Sequence, residues 1–172
     1  EEIDEDAFHN AAEQLVTAKK VYILGVRSSA SLAEFLYFYM NLILDNTVLV
    51  RTDGISEVLE QVIRADKQDV VIAISFPRYS KRTVRAVQYA ASRGSTVIAI
   101  TDSKISPINK YATHSLTARS DMVSFVDSLV APLSLINALT AAVAMRRSDR
   151  VHKHLEYMEH IWEEYNVYEK EE

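Results

Sequence analysis

Two near-continuous apolar runs constrain the fold of this chain more than any other feature. The sequence VVIAI covers residues 70–74, and STVIAI covers residues 95–100. Unbroken β-branched runs of this kind are typical of parallel strands that are buried on both faces of a sheet. A helical pattern lies between them and ends at Gly94, as expected for the crossover between two parallel strands. The two runs therefore predict an α/β protein.

The rest of the chain continues this alternation of strand and helix patterns. Short apolar segments predict further strands, and longer periodic segments predict helices, one of which has the Ser31/Glu34 spacing of a capping box. The alternation predicts one domain over residues 1–172, with a five-stranded parallel sheet in a three-layer α/β/α architecture. The further strands are expected at 21–25, 47–50 and 113–118, and the helices at 31–44, 55–63, 80–93 and 124–145, with a last one ending near 165.

The composition excludes several classes of protein. The chain has no cysteine, so it has neither a disulfide framework nor thiolate chemistry, which suits a cytoplasmic protein. A net charge of −5 argues against direct binding of nucleic acid, which normally requires a basic surface. The uncharged run Leu129–Met145 contains Pro132 and several polar residues, so it is interpreted as a core or subunit-interface helix rather than a membrane span.

Residues 69–83, DVVIAISFPRYSKRT, combine a strand end with hydroxyl and basic side chains. From Val70 to Thr101 the chain has five basic residues and no acidic one. Hydroxyls and the N–H groups at the start of a helix favour a small anion, and parallel strands collect such loops at one edge of the sheet. The candidate ligand-binding residues in this loop are Ser75, Arg78, Ser80, Lys81 and Thr83.

A second hydroxyl-rich loop, GVRSSAS at residues 25–31, follows the first expected strand. Ser28 and Ser29 either cap the next helix or donate to a ligand. The chain contains neither GxGxxG nor GxxxxGK[ST], so a dinucleotide or nucleoside triphosphate is poorly supported, and no cofactor or metal is expected. An anion bridging the two loops is therefore the favoured ligand.

These motifs resemble those of a known family. GVRSSASLA resembles the first loop of the sugar isomerase (SIS) fold, and ISFPRYSKRTV followed by GSTVIAITDSKISPI resembles the SIS effector domain of RpiR/MurR-type bacterial transcriptional regulators. The similarity runs from about residue 21 to residue 143. It implies a flavodoxin-like topology and a cytoplasmic sugar-phosphate sensor, dimeric or tetrameric. DNA would be bound only through an N-terminal helix-turn-helix domain outside residues 1–172.

The resemblance also implies roles for individual residues. The first-loop serine of the family falls on Ser29, and its phosphate loop matches at Ser80 and Thr83. Small residues of the family are replaced here by Arg27, Arg78 and Lys81. A charge from Arg78, Lys81 or Arg82 is therefore expected to contribute to phosphate binding.

A third element is the segment SFVDSLVAPLSLINAL at residues 124–139. It is expected to be helical, with Ser124 and Ser128 on one face and Asp127 able to cap the helix or bind a sugar hydroxyl. Capping by these residues and ligand binding through Ser128 are both open interpretations.

Three functions remain in competition. The leading one is a phosphosugar-binding effector domain of a transcriptional regulator of carbohydrate metabolism, without catalysis. A phosphosugar isomerase or lyase is the alternative, although neither loop contains the Glu or His base that isomerisation requires. A dimerisation module with a vestigial phosphate loop is the third.

Overall fold

The five expected strands are present and pair in parallel in the computed structural model, which describes residues 4–52, 57–121 and 126–168. Their order is β2-β1-β3-β4-β5, so the sheet has the doubly wound topology expected from the resemblance. The strands are β1 Val21–Gly25, β2 Thr47–Val50, β3 Val70–Ile74, β4 Thr96–Thr101 and β5 His114–Thr117.

Helices cover both faces of the sheet and complete the three-layer architecture. Those of the first layer are α1 Glu5–Thr17, α2 Ser28–Ile43 and α5 Val130–Arg146. The opposite layer contains α3 Val58–Gln61, α4 Lys81–Ser92 and a short 3₁₀ helix, Pro107–Lys110. A last helix, α6 Ser148–Glu164, contacts α2 and α5 and has no fully buried residue.

The sheet is buried on both faces because successive strand residues point to opposite layers. Ile72 and Ile74 face α2 and α5, whereas Val71 and Ala73 face α4. The fully buried strands thus confirm the prediction drawn from the unbroken apolar runs. Within the described ranges, no helix is both long and apolar enough to cross a membrane.

Three expected details of the helices are wrong. The capping box at Ser31/Glu34 is not formed at a helix start, because the chain turns directly after β1 and α2 already begins at Ser28. The helix expected over 55–63 is limited to Val58–Gln61 in the structure, since the following bonds are of the tighter i→i+3 type; residue 55 lies outside the described residues.

The start of α5 also differs from the expectation. The helix begins at Val130, not at residue 124, which lies outside the described residues. Ser128 is not helical: its N–H donates to Asp121 O at 3.3 Å, and its carbonyl accepts from the Ser120 hydroxyl at 3.1 Å. These bonds hold Ser128 beside residues 120 and 121, which follow β5, so it is not part of the helix.

Candidate functional site

A cavity of about 340 Å³ lies at the carboxyl ends of β1 and β3. The two strands are neighbours, and their register aligns Gly25 with Ile74, so the loops that follow them meet at one edge of the sheet. Helices α2 and α4 begin there and direct their N-terminal N–H groups to the same edge. The lining residues are Val26, Arg27, Ser28, Ser29, Ser75, Phe76, Pro77, Arg78, Ser80, Thr83 and Asp127.

The second loop, residues 75–83, is held by hydrogen bonds of its own. The Ser80 hydroxyl accepts from the Arg82 N–H at 3.2 Å and caps α4. Tyr79 Oη donates to Asp102 Oδ1 at 2.8 Å, and the Thr101 hydroxyl donates to the Ser75 carbonyl at 2.6 Å. Burial and the bond to Asp102 raise the pKa of Tyr79, so the phenol stays protonated as a donor. Both bonds tie this loop to the end of β4.

Thr83 is the most unusual side chain of the cavity. It is 1% exposed, and among the described residues its Oγ1 has no hydrogen-bond partner. Burying a hydroxyl without a partner costs about 1–3 kcal/mol in proteins. A ligand oxygen in the cavity would supply the missing partner, because Thr83 lines it from the first turn of α4.

The first loop, residues 25–29, is shaped mainly by its backbone. A Cβ at Gly25 would lie 2.2 Å from the Ser29 carbonyl oxygen, so only glycine permits this close approach of β1 and α2. Arg27 has φ 62° and ψ −126°, and its side chain makes no capping hydrogen bond to α2. Ser29 is buried, whereas Ser28 is exposed. Arg27 therefore gives α2 no side-chain cap, and the first turn of α2 lines the cavity through Ser28 and Ser29.

Two arginines with left-handed backbone conformations line the cavity. Arg27 has φ 62° and Arg78 has φ 63°, one in each loop. Such conformations cost a non-glycine residue about 1–3 kcal/mol and cluster at functional sites. Asp127 lines the same cavity and is its one acidic side chain within the described ranges.

The structure brings together most of the residues selected from the sequence. Six of the eight candidates line the cavity, while Lys81 and Ser128 do not. Lys81 is exposed at the first residue of α4, and Ser128 is half-buried before α5. Whether any of the eight binds a ligand stays a prediction. The six lining candidates are Ser28, Ser29, Ser75, Arg78, Ser80 and Thr83.

Two contributions to the site were missed. The bond between Tyr79 and Asp102, which fixes the second loop, was not expected from the sequence, because the two residues lie in different segments of the chain. Arg27 was treated only as a departure from the family pattern, yet it lines the cavity. The sequence could have indicated Arg27, because it occupies a position where the family has glycine; its φ of 62° is one that glycine adopts readily.

Comparisons with known proteins agree with this geometry. The family model of the SIS domain matches residues 14–142. HTH-type transcriptional regulator HexR of Escherichia coli is 27% identical over 162 residues, which are 89% of this chain and 53% of that protein. The chain spans about half the length of the curated relatives that it matches.

Solved structures give the same picture. The sugar isomerase domain of the RpiR transcription factor from Sphaerobacter thermophilus superposes with a TM-score of 0.85 at 30% identity, covering 92% of this chain and 88% of that one. The Vibrio vulnificus NanR protein, complexed with ManNAc-6P, gives 0.80 at 18% identity, with 93% and 61% covered. A candidate sugar-phosphate isomerase from Listeria monocytogenes gives 0.65 at 18% identity, with 84% and 78% covered.

Proposed function

Because this chain belongs to the SIS domain family, in the branch of RpiR-type regulators, we propose that it senses a phosphorylated sugar for a bacterial transcriptional regulator of carbohydrate metabolism. The observation that carries the proposal is the buried Thr83 hydroxyl, which has no hydrogen-bond partner among the described residues and lines a cavity at two helix N-termini. The ManNAc-6P complex of NanR supports the same class of ligand.

The phosphate would be held where the two loops meet. Ser29, Ser80 and Thr83 would donate hydroxyl protons, helped by Ser28, Ser75 and the N–H groups of α2. Ser80 accepts the Arg82 N–H through its oxygen, and its own proton remains available to a ligand. Asp127 would accept hydrogen bonds from sugar hydroxyls on the side of α5.

The residues around the cavity favour binding over catalysis. Aldose–ketose isomerisation needs a base at a carbon-bound proton, usually Glu or His. Among the described residues, neither type lines the cavity. The likeness to an isomerase structure at 18% identity shows the shared fold alone. Turnover of fructose 6-phosphate or glucosamine 6-phosphate by the purified chain would favour the isomerase alternative.

The other properties of the regulator follow from this assignment as parts of the proposal. The relatives named HTH-type regulators are about twice as long as the matched region, so the full protein would bind DNA through an N-terminal helix-turn-helix domain. It would act in the cytoplasm as a homodimer or homotetramer. Ligand binding would shift an equilibrium between two arrangements of the attached DNA-binding domains. The exposed side chains of Tyr157 on α6 and of Tyr165, directly after it, offer apolar surface for such an assembly.

Calorimetry against matched pairs of sugars tests the proposal. Glucose 6-phosphate and N-acetylmannosamine 6-phosphate are each compared with the unphosphorylated sugar. The proposal predicts that phosphorylated members bind at least about tenfold more tightly, since charged hydrogen bonds contribute about 1.5–3 kcal/mol. Equal affinity within each pair would contradict the assignment of a phosphate site.

A further inference from the structure

Helix α4 has a basic outer face that lies outside the cavity lining. Its exposed side follows helical spacing and contains no acidic residue: Lys81, Arg82, Arg85, Gln88, Ser92 and Arg93. Lys81 and Arg85 are one turn apart, and neither forms an ion pair with any residue that the structure describes. Lys81 and Arg82 also lie at the first turn, the positive end of the helix dipole. Because like charges one turn apart repel each other, α4 lacks counter-charge within its own copy.

Helix α6 has the opposite character. It contacts α2 and α5, and its exposed side carries an acidic face: Glu156, Glu159, Glu163 and Glu164. Glu159 and Glu163 are one turn apart, and within the described part of the chain neither forms an ion pair. The last turn of α6 contains acidic residues and no basic one, so negative charge lies at the negative end of the dipole. This helix therefore also lacks counter-charge, of the opposite sign.

Exposed apolar side chains accompany the charges on both surfaces. Ile63 lies beside α4, because its carbonyl accepts from Tyr89 Oη at 3.1 Å, and its side chain is exposed. Ile105 is 91% exposed and precedes the 3₁₀ helix that contacts α4. Tyr157 on α6 and Tyr165 directly after it are exposed as well. Apolar and aromatic side chains next to charges are typical of a surface that binds another protein.

We propose that the acidic face of α6 in one copy of this chain docks on the basic face of α4 in a second copy. The two faces are complementary, and each supplies the counter-charge that the other lacks. Because α4 and α6 lie in opposite layers of the fold, the contact joins unlike surfaces of the two copies. It would place the second copy beside the cavity, since Ser80 and Thr83 at the start of α4 line it.

Sedimentation equilibrium of the ligand-free chain at two salt concentrations gives the first test. Salt screens complementary charges, so the dissociation constant of the assembly should rise at least about tenfold between about 0.05 and about 0.5 M NaCl. A constant that is unchanged or falls with salt would indicate an apolar contact, such as one between two α6 helices, and would overturn the inference. A chain that stays monomeric at low salt would overturn it too. Neither result would affect the proposed sugar-phosphate site, because no ligand is present.

Charge reversal tests the two faces separately. Lys81→Glu with Arg85→Glu reverses α4, and Glu159→Lys with Glu163→Lys reverses α6. Each double variant should self-associate at least about tenfold more weakly at low salt, while its Tm stays unchanged or rises because the new charges suit the helix dipole. In a mixture of the two double variants, every α4 face meets an α6 face of opposite charge, so association should return to the level of the parent. A mixture that fails to associate would overturn the pairing of these two faces.

The matched control is Lys19→Glu with Lys20→Glu. It makes the same change in net charge as the reversal of α4, at exposed positions before β1 and thus at the amino edge of the sheet. Its self-association should stay within about threefold of the parent. Equal weakening in the control would show an effect of net charge alone and overturn the inference. If the reversal of α4 instead leaves self-association unchanged and abolishes binding of a DNA duplex, the basic face binds nucleic acid and the inference is wrong.

Discussion

The two loops that form the cavity are built in different ways, although both follow parallel strands. The first loop depends on its backbone, with a close approach at Gly25 and a left-handed Arg27 before α2. The second loop depends on side chains: Ser80 caps α4, and Tyr79 reaches across to β4. The shape of the first loop is therefore set by its backbone, whereas the second loop is held in place by side-chain hydrogen bonds. This difference predicts that changes in the two loops will have different consequences.

The largest effect is expected from Gly25→Ala. The new Cβ would meet the Ser29 carbonyl, which belongs to the backbone of α2 and cannot move without displacing the helix. We expect a loss of about 3 kcal/mol in the free energy of unfolding, measured by urea denaturation. Gly94→Ala is the control: its φ is also unfavourable, at +84°, but its Cβ meets nothing closer than 3.4 Å, so the cost should be about 1 kcal/mol. Equal costs for the two variants would contradict the role given to the first loop.

An intermediate effect is expected from Tyr79→Phe. Loss of the hydrogen bond to Asp102 should lower the free energy of unfolding by about 1 kcal/mol and weaken phosphosugar binding several-fold, because the second loop is less fixed. Tyr89→Phe is a matched control that removes a bond to the Ile63 carbonyl outside the cavity lining. It should cost similar stability and leave calorimetric affinity unchanged. Loss of affinity in both variants would show that stability alone is responsible.

The smallest effect is expected from Lys81→Gln. Lys81 is exposed and does not line the cavity, so its charge would act on a bound phosphate only through solvent. We expect a change of less than about threefold in calorimetric affinity and less than about 0.5 kcal/mol in stability. A tenfold loss of affinity would show that the Lys81 side chain contacts the phosphate, as the sequence motif suggested.

The sequence predicted the sheet better than the helix boundaries. The strands of this α/β protein were recognisable because burial on both faces leaves an unbroken apolar run, as in Val70–Ile74. The start of α5 was not recognisable from the sequence, since the hydrogen bonds of Ser128 to Asp121 and Ser120 depend on segments that meet only in the folded chain. The spacing of Ser31 and Glu34 predicted a capping box, but α2 already begins at Ser28 because the chain turns directly after β1.

The candidate site, like the fold, could be predicted from the sequence only in part. The hydroxyls of both loops could be chosen because the carboxyl ends of neighbouring parallel strands meet at one edge. The lack of a hydrogen-bond partner for Thr83 Oγ1 could not be predicted from the sequence, because it depends on the packing of α4 against the sheet. The same holds for Tyr79 and Asp102, which are 23 residues apart and meet only because β3 and β4 are adjacent.

The most direct measurement of the central claim compares Thr83→Val with Thr83→Ser in two assays. Valine keeps the shape and removes the hydroxyl, so the ligand-free protein should be as stable as the parent or more stable, since a buried unpartnered group is removed. Its calorimetric affinity for a sugar phosphate should fall about tenfold. Serine keeps the hydroxyl and loses a methyl group, so affinity should stay within about threefold while stability decreases by about 1 kcal/mol.

Thr83→Val should therefore be the more stable of the two variants, and Thr83→Ser should bind the sugar phosphate more tightly. If Thr83→Val binds the sugar phosphate as tightly as the parent, the hydroxyl does not contact the ligand. If Thr83→Val is instead less stable than Thr83→Ser without ligand, the hydroxyl already has a partner within the protein. Either result would contradict a phosphate site completed by Thr83.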